Sequence, residues 1–149
     1  MASIWEQERQ QELYERITRL QADTPRRWGS MNAGQMLQHL DRAYKNAMGV
    51  LPVSKIFWAF ITSLTPVKKL MIYKIPWKKN LPTAPEYIAA DTVDFDAARA
   101  AFLESLQMIT RENANMRFAG HPIFGQLSYE DWGALLYKHT DHHLRQFGV

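Results

Sequence analysis

The sequence contains no cysteine, which excludes disulfides, thiolate nucleophiles, Cys-type zinc fingers and thiolate-held iron–sulfur clusters. It has no apolar run long enough to span a bilayer. The stretch from Ile56 to Val67 is free of charge for only 12 residues, against about 20 for a spanning helix. No segment alternates apolar and polar residues over a strand's length, and no internal repeat or low-complexity linker is visible, so a helical chain is expected. The first residues, Met1 to Arg9, lack an apolar run behind a basic cap, which argues against a secretory leader and for the cytoplasm.

Acidic residues are missing between Asp41 and Glu86, where seven lysines fall. With Ile56-Phe57-Trp58-Ala59-Phe60-Ile61 they make a mixed apolar and basic segment. A membrane surface or nucleic acid can use such a patch, and a buried helix whose lysines reach out to solvent is the plainer account.

What is present is ordinary for a folded chain. The 149 residues, 46% hydrophobic and 22% charged with a net charge of +3, suit a single domain over residues 1–149 with one core. Apolar periodicity predicts a first helix from about Ile4 to Gln21 and a second from a Ser30 or Asn32 cap to about Met48, stopped by Gly49. A helical segment from Val53 to Tyr73 is interrupted at Pro66, and Ile75 to Tyr87 is irregular. Asp94 caps a long helix to about Asn115, and Ser128 caps the last one. The class is all-α: a four-helix bundle, up-down-down-up, with an extra helical crossover between helices two and three.

The last helix carries Lys138-His139-Thr140-Asp141-His142-His143-Leu144-Arg145-Gln146. His139 and His143, four residues apart, share one face, and Trp132, Leu135, Leu136 and Gln146 lie within about 60° of it, so the pair faces the core. His39 lies on the apolar face of helix two with Met36, Leu40 and Ala43, and in this topology it can meet the pair across the core. Two readings stay open on these residues alone. The imidazoles hold a metal ion, or they are half-exposed cations favoured near a helix C-terminus. Asp41 and Asp141, about 200° from the nearest of these histidines, are expected to face outward. His142, at the edge of the stripe, is expected to face solvent, and His121 to anchor a loop over Phe124.

Arg27-Trp28-Gly29-Ser30-Met31 leading into Gln35-Met36-Leu37-Gln38-His39, His121-Pro122-Ile123-Phe124-Gly125, and Trp132-Gly133 through Lys138–Phe147 together resemble the DinB/YfiT-like superfamily, in one of its uncharacterised bacterial branches. The resemblance runs from about Arg27 to Phe147, with the lysine-rich middle the least similar part. It implies a metalloprotein whose ligands are His39, His139 and His143, with His142 and Gln146 as possible supports behind them. Three neutral imidazoles suit zinc or nickel better than magnesium or calcium. The resemblance further implies a thiol S-transferase or a hydrolase acting on a small molecule. The other expectation is a non-catalytic, dimerising, metal-binding stress-response module. A homodimer is expected in either case, with no nucleic-acid partner and no membrane span.

Overall fold

The structure, a computed structural model, describes residues 2–54, 59–62, 64–81, 83–112 and 118–149. Its helices are α1 (Gln7–Thr18), α2 (Ala33–Ala47), α3 (Ala59–Thr62), α4 (Thr65–Tyr73), α5 (Phe95–Glu112) and α6 (Tyr129–Gln146), with a 3-10 turn at Pro85–Tyr87. Among the described residues there is no strand, only an isolated bridge between His121 and Gly125. No described helix is long and apolar enough to cross a membrane.

Local chemistry accounts for the starts of α2, α5 and α6 and for the end of α2. Asn32 and Gln35 form a reciprocal capping box at the start of α2, and Gly49, with φ of +75°, follows its end. The Asp94 carboxylate accepts from the backbone of Ala97 at the start of α5, and Ser128 accepts from Asp131 at the start of α6. α1 begins three residues later than its periodicity suggests. The Ile4 backbone donates to the Gly133 carbonyl instead of entering a helix, and Trp5 lies over Gly133, where any side chain would collide with Trp5 and Ser3. Pro66 opens α4 in its first turn, where its missing N–H has no helical partner to lose.

The core is built from Leu13 and Ile17 of α1, Met36, Leu37 and Leu40 of α2, Phe102 and Ile109 of α5, and Trp132 and Leu144 of α6. α2 packs most extensively on α5 and also on α6, which in turn meets α1 and α4. Gly34 lies against Val93 and Phe95, while Tyr44 lies edge-on to Phe102. Arg16 bonds Asp141 at 2.9 Å, and the Tyr137 hydroxyl reaches Glu12 at 3.3 Å. Asp41 is buried rather than outward, because α5 covers that side of α2. Ser105 donates to its carboxylate at 2.6 Å and Lys45 at 2.8 Å.

The crossover is tied to α6 at two places. The buried Asp131 carboxylate takes Lys69 and the Tyr73 hydroxyl, both at 2.8 Å. About two turns along α6, the Lys138 ammonium donates to the carbonyls of Met71, Ile72 and Ile75 at 2.8, 2.9 and 2.7 Å. A cation there satisfies carbonyls that the end of α4 leaves open and complements the helix dipole. These ties lay Met71 and Trp77 against the face of α6 that bears the histidines.

Candidate metal centre

His39 projects from the middle of α2 and His139 and His143 from successive turns of α6. The register between the two helices is set one turn away, where the fully buried Tyr44 and Thr140 hydroxyls bond at 2.9 Å. The three imidazoles then form a near-equilateral triangle. Ring centroids are 5.0 Å apart for His39 and His139, 4.8 Å for His39 and His143, and 4.9 Å for His139 and His143. One donor atom from each ring lies within 4.8 Å of the others, close enough to bind one metal ion.

The rings are held from behind. The His39 Nδ1 donates to the Tyr87 carbonyl at 3.1 Å, and Tyr87 is fixed by its hydroxyl, which donates to Asn46 at 2.6 Å. The His143 Nδ1 donates to the Gln146 side-chain carbonyl at 2.9 Å, and the Gln146 amide donates to the Trp28 carbonyl at 2.7 Å. A carbonyl only accepts, so in both rings the proton resides on Nδ1 and the Nε2 lone pair is left for the centre. The His39 and His139 Nε2 atoms are 3.0 Å apart. Donors about 2.0–2.1 Å from one ion, at angles between square and tetrahedral, stand about 2.8–3.4 Å apart, so this pair fits a common cation.

Electrostatics agree with neutral ligands. Burial pushes the His39 and His139 pKa down, the latter well below the ordinary histidine value, with His143 and His39 adding like-charge repulsion. Burial holds His143 at about 3. The half-exposed cation reading of the pair does not fit rings packed and depressed in this way.

The triangle lines a cavity of about 580 Å³, whose other walls include Trp28, Met31, Trp77, Phe124, Trp132 and Leu136. His39 is buried, whereas His139 and His143 keep part of their surface open. His142 lines the cavity too, instead of facing solvent, because Trp28 and Trp77 cover it with ring centroids 5.8 and 6.0 Å away. His121 stacks on Phe124 at 4.9 Å and accepts from the backbone of Ile123 and Phe124, as expected of a loop anchor. It also lines the cavity, and burial lowers its pKa to about 3. Lys68 and Lys69 do not line the cavity; they bond the Gln126 carbonyl and Asp131. Phe57, Trp58 and the side chain of Phe60 lie outside the described residues.

Three contributors escaped the sequence reading: the Tyr87 carbonyl, Trp77 and Gly29. Gly29 has φ of +82°, and a side chain there would strike the Gln146 amide that supports His143. A glycine between Trp28 and Ser30 was visible, but its partner lies more than a hundred residues away.

No curated protein and no solved structure matches the chain. The family model described as "Protein of unknown function (DUF1569)" matches residues 6–148, nearly the whole length, and the chain belongs to that family.

Proposed function

We propose that this is a cytoplasmic bacterial enzyme dependent on a divalent metal, zinc or nickel, held by His39, His139 and His143, and acting on a small molecule as a thiol S-transferase or a hydrolase. The observation that carries the reading is the triangle of neutral imidazoles, 4.8–5.0 Å between centroids, on the wall of a 580 Å³ cavity. An ion held by only three protein ligands beside that cavity would remain accessible to substrate, as in a catalytic rather than a closed structural site. Bound by His39, His139 and His143, a divalent ion would supply Lewis acidity to a substrate in the cavity. The chain's own part is to fix the donors through Tyr87 and Gln146 and to exclude bulk water with Trp28, Trp77 and Trp132.

The DinB/YfiT-like frame belongs to the same proposal. α1 meets α6 through Glu12 with Tyr137 and Arg16 with Asp141, advancing together. α2 meets α5 at Gly34 with Phe95 and Tyr44 with Phe102, again advancing together. Against α6, α2 runs the other way: Trp28 contacts Gln146, His39 contacts His143 and Tyr44 contacts Thr140. These senses support the up-down-down-up reading of the bundle.

Turnover of thiol acceptors and of hydrolysable esters and amides by zinc- or nickel-loaded protein tests the reading. Activity lost with EDTA and in His139→Ala supports it, and activity unaffected by both contradicts it. The second reading, a dimerising module without catalysis, draws support from Ile61, Leu64 and Leu70, about half exposed on and beside α3 and α4. It predicts a dimer by light scattering that dissociates on Leu64→Glu, with no turnover.

A further inference from the structure

The charge balance of the cavity specifies a ligand class. The groups that hold His39 and His143 from behind are neutral, a backbone carbonyl and a side-chain amide. Among the described residues lining the cavity, Asp91 is the only acid. It is exposed, and it contributes its backbone carbonyl to Gln35. Basic groups stand close instead. The Lys79 ammonium lies 4.7 Å over the face of Trp28, and Lys138 lies 5.7 Å from the centre of Trp77. A dication on three neutral imidazoles would therefore keep its whole charge inside walls of Trp, Met, Phe and Leu.

An uncompensated charge in such surroundings is costly until an opposite charge joins it. The walls themselves have apolar surface to cover, from Met31, Met71, Phe124 and Leu136. The indole N–H of Trp132, also in the wall, is buried without an acceptor among the described residues. Resting on the metal reading above, we infer that the cavity takes an amphipathic anion: a single carboxylate, thiolate or similar head directed at the three histidines, and an apolar body lying along Met31, Phe124 and Leu136. A cavity of this size encloses a drug-sized molecule and leaves a bare inorganic anion mostly in empty space. Neutral alcohols lack the charge that the centre requires, and alkylammonium ions carry the wrong one.

Octanoate, octanol, octylammonium and acetate separate the two elements of the inference, with tryptophan fluorescence as the readout because Trp28, Trp77 and Trp132 line the cavity. Zinc loading is measured first and independently by calorimetry. In zinc-loaded protein octanoate should bind at least about tenfold more tightly than octanol, octylammonium or acetate, and its advantage over octanol should vanish in metal-free protein and in His139→Ala. Octanol binding as well as octanoate overturns the anion requirement, and acetate binding as well as octanoate overturns the apolar body. An octanoate preference unchanged without metal would assign the charge to the lysines and overturn the inference. If calorimetry finds no zinc binding, the metal reading itself fails and the inference falls with it.

Discussion

Gln146 connects His143 to Trp28: its side-chain carbonyl accepts from the His143 Nδ1 at 2.9 Å while its amide donates to the Trp28 carbonyl at 2.7 Å. The link fixes both the tautomer and the direction of the ring, and through it the loop before α2 acts on a residue of α6. Gln146→Leu removes the acceptor but keeps the buried volume. Zinc affinity should fall about 10- to 100-fold with the helical content unchanged, as read by competition with a chromophoric chelator.

Gly29→Ala attacks the same link from the other end. A left-handed alanine costs about 1–2 kcal/mol, and its methyl group displaces the Gln146 amide. Both the melting temperature and the zinc affinity should drop. A variant that loses stability alone would show that Gln146 has another way to hold the ring.

Lys138→Met leaves the carbonyls of Ile72 and Ile75 without this donor, and Met71 with only the Trp77 indole N–H at 3.3 Å. Unsatisfied groups of this kind cost about 1–3 kcal/mol each when water cannot reach them. Hydrogen exchange should accelerate along α4 and in the segment carrying Trp77 before it does in α2 or α5. Uniform acceleration would mean that the crossover unfolds with the whole domain.

Depressed histidines make the metal-free protein acid-labile. Burial lowers His121 and His143 to about 3, while the unfolded chain protonates near its ordinary value of about 6.5. Between these limits the unfolded state binds more protons, so stability is fully present above about pH 6.5 and declines as the pH falls. The slope is about 1.4 kcal/mol per pH unit for each such histidine. His121→Asn retains an acceptor for the Ile123 and Phe124 amides and removes one titration. Denaturant melts from pH 7 to pH 4 should therefore show a shallower slope in this variant, and an identical slope would contradict the assignment to His121.

The sequence carried the elements governed by neighbours along the chain. Asn32 and Ser128 cap the helices as their residue types suggest, and i, i+4 geometry puts His139 and His143 on one face with His39 inward on α2. What it concealed depends on contacts between distant segments. Asp41 stands about 200° from His39 around α2, which points it away from the histidine face but says nothing of α5, which covers that side and supplies Ser105. His142 looked solvated because nothing local indicates that Trp77, held in place by Lys138, closes over it. Ile4 and Trp5 have helical periodicity but lie on Gly133, a glycine whose role appears only when α1 and α6 meet.

The metal centre itself is tested most directly by elemental analysis of protein purified without an affinity tag or a nickel column, alongside His39→Ala, His139→Ala and His143→Ala. One zinc or nickel ion per chain in the wild type, and its loss from all three variants with the helical spectrum retained, is the predicted result. A wild-type chain without stoichiometric metal after incubation with either ion, or one whose metal survives any of the three substitutions undiminished, contradicts it.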